Sequence, residues 1–386
     1  MPTGALICEY NPFHNGHKYM LSKMREDGCD AIVAVMSGSF TQRGDVAVCS
    51  KFSRAKEALR NGADLVIELP CVWAVASAER FARGGCEIIK AAGCVDRVYF
   101  GSECGDIQML KAAADATNST EVNEKLQSLM AQGEYYPKAL QKAVEDVFGR
   151  ELADVLSSPN NTLGIEYIKA LTDSDTQLRT IKRTGVDHHS THTTDTIASA
   201  SKIRDMIKNE EDFSAFIPKD LEENNPAFLE YGERALLYML RKFEIEDIKA
   251  IPDVSEGLEN RILSAAKTHN SIEKILDEIK TKRYTHSRLR RILTCALLGI
   301  RKEHHAQAVP YIRVLGFNSR AEQLLKELNK SSALPLVLNV AKDKEKLSET
   351  AAEILSIDIK ATDLRTVFEK SPSPCGADFT RGIIKV

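Results

Sequence analysis

A rhythm narrows the possible folds more than anything else in this chain. Over its first 200 residues, short β-branched runs alternate with longer amphipathic stretches; the runs are Ala5–Cys8, Ala31–Met36, Leu65–Leu69, Arg97–Phe100 and Leu178–Ile181. Runs spaced by helical stretches of this length predict crossover connections, and crossovers produce a parallel sheet covered by helices. The chain is therefore read as α/β. In open sheets of this kind ligands lie beyond the carboxyl ends of the strands, so the segments after each run are where chemistry is expected.

Those segments are polar and rich in glycine. The first run leads into Glu9-Tyr10-Asn11-Pro12-Phe13-His14-Asn15-Gly16-His17, the second into Ser37-Gly38-Ser39-Phe40-Thr41-Gln42-Arg43-Gly44, and the fourth into Gly101-Ser102-Glu103. Residues 106–154 read as two or three helices of mixed charge, an insertion without a chemical motif. From Ile207 to Asn225 the pattern turns acidic and polar, which marks a boundary. The expectation is a Rossmann-like catalytic domain over residues 1–215 and a second domain over 216–386. Ala235–Ile300 reads as consecutive helices, and Pro310–Leu315 and Leu334–Leu338 as short strands flanking a helix from Arg320 to Lys330. The second domain is thus expected to be mostly helical with a small α/β tail.

Composition sets outer limits. The 386 residues, 43% hydrophobic and 28% charged, describe an ordinary globular chain. A net charge of −3 means that any RNA contact must come from a local basic patch, and nothing calls for DNA. The nine cysteines never form a C-x-x-C pair, which points to reduced thiols in a cytoplasmic protein rather than to zinc or disulfides. Met1-Pro2-Thr3-Gly4 lacks a basic leader, and no apolar run reaches the roughly 18 residues of a membrane span, so neither secretion nor membrane insertion is expected.

His14-Asn15-Gly16-His17 falls in a turn and the first turn of a helix, where two imidazoles three residues apart share one face. A helix start offers unpaired N–H groups and a positive dipole end, and two histidines add donors for phosphate oxygens. The segment suits a nucleoside triphosphate; two plain capping histidines are the alternative. No third ligand stands at a standard spacing, so no metal is expected, and Asp187–His192 reads as a polar loop. In Ile197–Arg204 hydroxyls precede a helix that presents Lys202 and Arg204, a pattern that caps a helix and binds phosphate. The run Lys280–Arg291, with Lys282, Arg283, Arg288, Arg290 and Arg291, backs onto Leu289, Ile292 and Leu293 and is the best candidate for a nucleic-acid backbone contact.

The two short motifs together resemble the nucleotidyltransferase superfamily that shares an H-x-G-H signature and an I-S-S-T-x-I-R-like signature with class I aminoacyl-tRNA synthetases. The second signature departs here to Ala198-Ser199-Ala200-Ser201-Lys202-Ile203-Arg204. With Glu9–His17, Gln42-Arg43-Gly44, Asn61–Pro70, Asn160–Tyr167 and Lys282–Arg291 included, the chain is similar over nearly its whole length to the tRNA(Met) cytidine acetate ligase family. That resemblance implies activation of acetate by ATP to acetyl-adenylate. Transfer of the acetyl group to the exocyclic amine of the wobble cytidine of elongator tRNA(Met) then gives N4-acetylcytidine, without acetyl-coenzyme A.

The resemblance also implies roles. Ile7, Cys8, Glu9, Tyr10, Asn11, Pro12, Phe13, His14, Asn15, Gly16, His17, Lys18, Tyr19 and Met20 would surround the ATP phosphates, with Gly101, Asn161, Arg183 and Thr184 as further nucleotide contacts. His14 and His17 would stabilise the charge that develops as acetate attacks the α-phosphorus, Lys202 and Arg204 would add positive charge beside pyrophosphate, and Mg²⁺ would accompany ATP. Gln42 and Arg43 could hold the acetate carboxylate or meet the tRNA; alternatively Arg43 pairs with Asp45 or Glu68. Two rival readings are a nucleotidylyltransferase acting on a small phosphorylated metabolite, which leaves the second domain unexplained, and a non-catalytic RNA-binding protein with a nucleotide pocket.

Overall fold

The computed structural model describes residues 2–183, 196–218, 225–255, 257–281 and 284–386. Thr184, the Asp187–His192 tract, Lys282, Arg283 and Glu222–Asn224 lie outside the described residues. One sheet holds β1 (Thr3–Cys8), β2 (Ala31–Ser37), β3 (Leu65–Leu69), β4 (Arg97–Ser102), β5 (Gln177–Lys182), β6 (Ile312–Phe317), β7 (Leu336–Val337) and β8 (Ile384–Lys385). The order is β5-β4-β1-β2-β3-β6-β7, with β8 beside β6. The five N-terminal strands are parallel, as their spacing predicts. Chain direction across the sheet reverses at β1, so a crevice opens at the carboxyl ends of β1 and β4.

The central strands β1, β2 and β3 lack an exposed polar face because helices cover both sides, whereas the edge strand β5 exposes Gln177, Arg179 and Lys182. All seven residues of β2 are buried: Val33 and Val35 join Ala5, Leu65 and Ile67 in one core, while Ile32, Ala34 and Met36 join Leu6 and Val66 in the other. Helix Ala78–Ala92 covers the first core through Phe81, Cys86 and Ile89. Helices Asn15–Glu26 and Lys51–Arg60 cover the second through Leu21, Met24, Ala55 and Leu59.

Two expectations change. The insertion contains four helices, Ile107–Asn118, Thr120–Ala131, Tyr136–Phe148 and Arg150–Val155, around their own small core of Val122, Leu126, Ala139 and Val144. An extra break arises at Ser119, whose hydroxyl caps the second helix by accepting the Val122 N–H. The two short C-terminal strands exist as β6 and β7, but they extend the N-terminal sheet instead of standing apart. β6 pairs antiparallel with β3, placing Arg313 opposite Glu68.

That register closes a buried charge cluster. Arg313 lies 2.9 Å from Glu68 and 2.5 Å from Asp378, and the Lys51 ammonium lies 2.8 Å from Glu68 and 2.9 Å from Asp378, every side chain at most 5% exposed. Two cations facing two carboxylates offset desolvation costs of several kcal/mol per ion that none could bear alone. The cluster also removes Glu68 as a partner for Arg43. Asp378→Ala should cost about 3–5 kcal/mol in urea unfolding, whereas Lys370→Ala, which breaks an exposed pair with Glu210, should leave the midpoint in place. Equal losses from the two would contradict this ranking.

Candidate active site

The loop leaving β1 is held by groups that bond to its backbone. Tyr10 takes a positive φ of 49°, and the Asn11-Pro12 peptide is cis. The Asn11 side-chain oxygen accepts the Val48 N–H at 2.8 Å, and its carbonyl accepts from Arg204 Nη1 at 2.8 Å. Arg54, fully buried, donates to the carbonyls of Glu9, Ser37, Gly38 and Cys49. One guanidinium thereby ties the ends of β1 and β2 together, a task its planar fork of donors suits and an ammonium does not. Sequence reading missed Arg54; the available signal was an arginine on a helix whose neighbours Phe52, Ala55, Ala58 and Leu59 are apolar.

His14 and His17 are locked in one tautomer. His14 caps the helix, its Nδ1 accepting the Gly16 N–H at 3.0 Å, and His17 Nδ1 accepts the His14 N–H at 3.2 Å. A neutral imidazole that accepts at Nδ1 carries its proton on Nε2, so each ring offers an Nε2–H donor away from the backbone. The rings stack with centroids 3.7 Å apart, and Tyr10 meets His17 edge-on at 4.8 Å. Burial, helped by Arg183 and Arg204, pushes His14 down to about 3; burial, helped by His14 and Arg183, holds His17 well below its ordinary value. These are neutral donors, not cations. Gly16 serves this lock: a Cβ there would stand 2.9 Å from His14 Cε1 and displace the ring.

The second signature reaches the same place. Ser199 caps helix Ala200–Lys208 by accepting the Lys202 N–H at 3.2 Å, and Arg204 then spans to Asn11. Asn15 reciprocates, its amide donating to the carbonyls of Thr196 and Ala215, each at 3.0 Å. Arg183 emerges at the end of β5, its N–H on the Ser102 carbonyl at 2.9 Å, and Gly101 leaves room for it, since a Cβ would meet Arg183 Cγ at 3.3 Å and Met20 Cε at 3.5 Å. His14, His17, Arg183, Arg204, Gly101 and Met20 thus converge at the β1/β4 crevice. Within Ile7–Met20, Pro12 and Phe13 are buried support, Lys18 and Tyr19 face outward, and Cys8, its thiol pushed up by burial, lies 3.7 Å from the Val35 carbonyl.

Other predicted contacts have different tasks. Asn161, only 3% exposed, accepts the Glu103 and Cys104 N–H groups and donates to the Val155 carbonyl, so its amide shapes the loop after β4. Asn160 donates to the Glu103 carboxylate. Gln42 donates its side-chain amide to the Ala76 carbonyl and its N–H to Glu9. Arg43 is half-buried and forms no hydrogen bond or ion pair among the described residues, with neither Asp45 nor Glu68 as a partner. In the basic helix His286–Leu298, Arg288 donates to the Asp253 carbonyl and Arg291 pairs with the Asp253 carboxylate at 3.3 Å, which makes both structural clamps. Arg290 is exposed, 3.5 Å from Asp45. The helix packs directly on the β2 loop: Thr294 donates to the Gly44 carbonyl at 2.6 Å, and a Cβ on Gly44 would stand 2.5 Å from the Arg291 nitrogen.

The depressed histidines make a pH prediction. Between about pH 6.5, the ordinary histidine value, and about 3, the unfolded chain binds protons that folded His14 refuses, so folding stability falls as pH drops through that window. The urea midpoint should fall from pH 7 to pH 5, and a His14→Asn/His17→Asn variant, which can still cap the helix, should lose part of that slope. Identical slopes in the two proteins would contradict neutral burial.

The sequence and the fold match known proteins over nearly the whole chain. The HIGH Nucleotidyl Transferase family matches residues 1–377. The tRNA(Met) cytidine acetate ligase of Thermoanaerobacter sp. strain X514 is 39% identical over 401 residues, with 99% of each chain covered, and that of Acetivibrio thermocellus is 38% identical over 413 residues, with 100% of each covered. The crystal structure of apo Thermotoga maritima TmcAL superposes over the whole of both chains with a TM-score of 0.94 at 33% identity, and its form bound with alpha-thio ATP gives 0.92. On these grounds the chain belongs to the tRNA(Met) cytidine acetate ligase family of HIGH nucleotidyl transferases.

Proposed function

We propose that this chain is a cytoplasmic ligase that uses ATP to convert acetate into acetyl-adenylate. It then acetylates the exocyclic amine of the wobble cytidine of elongator tRNA(Met), producing N4-acetylcytidine. The observation that carries the reading is the pair of locked Nε2–H donors beside Arg183 and Arg204 at the helix start. The names of the relatives and the nucleotide-bound Thermotoga maritima structure support ATP and tRNA(Met) as substrates.

In this reading the ATP phosphates lie over the first turn of helix Asn15–Glu26, where the positive end of the helix dipole favours anions. An acetate oxygen attacks the α-phosphorus as its bond to pyrophosphate breaks. Charge rises on the phosphoryl oxygens in that step, and pre-aligned neutral donors gain strength with that rise. Arg183, Arg204 and Lys202 supply the fixed positive charge. Mg²⁺ would arrive on the phosphates, as is usual for this ion at nucleotide sites. In the second step the cytidine amine attacks the acetyl carbon and AMP departs. The face with Arg43, Arg290 and the start of helix His286–Leu298 would receive the anticodon arm, with phosphate contacts that position without reading sequence.

Removing one donor that acts on developing charge typically costs about 10²–10³ in rate. His17→Ala should lower acetate-dependent ATP–pyrophosphate exchange by about that factor with an unchanged circular dichroism spectrum; full exchange in the variant would refute the assignment. Arg290→Ala should weaken tRNA binding and reduce its salt dependence by about one phosphate contact, whereas Arg291→Ala should act mainly on stability. Binding measured from 50 to 300 mM salt, on the order of the range where such contacts are lost, separates the two, and a salt slope unchanged by Arg290→Ala would remove that arginine from the interface.

A further inference from the structure

Glu9 follows β1 directly, yet the activation step makes no use of its side chain. Its carbonyl accepts from Arg54, and its Oε1 accepts the Gln42 N–H at 2.6 Å. Its Oε2 has no partner among the described residues, so the carboxylate is held by one oxygen and offers the other.

The neighbours of Glu9 place it away from the phosphate donors. Charged groups acting on it are Arg204, Arg54 and Arg43, with the Tyr167 hydroxyl and the Cys8 thiol also close enough to sense it. The histidines answer instead to Arg183, Arg204 and each other. Arg204, anchored on the Asn11 carbonyl, acts on both Glu9 and His14. The bond from the Gln42 N–H sets the Glu9 carboxylate on the β2 side, and the loop it binds, Gln42 to Gly44, is the one on which the basic helix is seated through Thr294. That is where a polynucleotide lying on the Arg43–Arg290 face would enter the nucleotide crevice.

A free carboxylate oxygen at this point repels acetate and suits a donor. The exocyclic amine of cytosine presents two N–H groups, and carboxylates accept from it, whereas uracil would turn a carbonyl oxygen toward the same position. Resting on the acetate-ligase reading above, we propose that Glu9 receives the wobble cytosine, its Oε2 accepting a hydrogen bond from the exocyclic amine and then taking one of its protons. The amine nitrogen forms a bond to the acetyl carbon, the bond from that carbon to the adenylate oxygen breaks, AMP leaves with the electron pair, and the surplus nitrogen proton passes to Glu9 and on to water. Burial raises the carboxyl above its ordinary value against the pull of the Gln42 N–H and the arginines, so its carboxylate is a stronger base than a surface glutamate.

The test separates the two half-reactions in the full-length enzyme. Acetate-dependent ATP–pyrophosphate exchange without tRNA reports activation, and single-turnover transfer of labelled acetyl to tRNA(Met) reports the second step. Glu9→Gln keeps the size and the acceptor but not the basicity; since a general base typically contributes about 10²–10⁴, transfer should fall by at least about a hundredfold more than exchange. The acidic limb of the transfer rate against pH should flatten in Glu9→Gln and reappear in Glu9→Asp. Parallel losses in both half-reactions, or an acidic limb unchanged in Glu9→Gln, overturns the proposal. Absence of acetate-dependent exchange in the unmodified enzyme overturns the acetate-activation reading and this proposal with it.

Discussion

Which nitrogen of His14 and His17 bears the proton decides what the crevice can do. Both Nδ1 atoms are occupied by backbone N–H groups of the same helical turn, so the protons stand on Nε2, and burial beside Arg183 and Arg204 keeps the rings uncharged. Neutral donors in fixed orientation favour the state in which new charge appears. In the proposed reaction the bulk attraction for the triphosphate would fall to Arg183, Arg204, Lys202 and the helix start.

The rest of the structure keeps that turn in place. Arg54 gathers carbonyls from the ends of β1 and β2. Arg365, buried in a distant helix, donates to the carbonyls of Ala47 and Val48 at 3.0 and 2.8 Å, and the Val48 N–H in turn goes to Asn11. The Lys51–Glu68–Arg313–Asp378 cluster fastens β6 to β3 and anchors the start of the helix that carries Arg54. Residues far along the chain thus support the first catalytic loop, which explains why the sheet continues past the expected boundary with β6, β7 and β8.

The five parallel strands and the location of the site were legible because both have local signatures: apolar runs of strand length, and polar glycine-bearing segments after them. The histidine tetrad and Arg204 were found by motif, and the structure brings them within one hydrogen-bonded constellation. The pairing of β6 with β3 was not legible, since periodicity shows that a run is a strand and says nothing of its neighbour. Arg54 and Arg365 escaped because their targets are backbone carbonyls, which leave no mark on residue identity. Asn161, Arg288 and Arg291 carried the right chemistry for ligands but spend it on Glu103, Cys104 and Asp253. Such competition between internal and external partners is decided by three-dimensional placement alone.

The claim that orders this account is the tautomer and charge of the two histidines, and nitrogen-15 NMR of the histidine-labelled protein reads both directly. At pH 7 and again at pH 5 the account predicts, for His14 and His17, an unprotonated Nδ1 and a protonated Nε2. Protonation of both nitrogens in either ring at pH 5, or a proton on Nδ1 at pH 7, would contradict it.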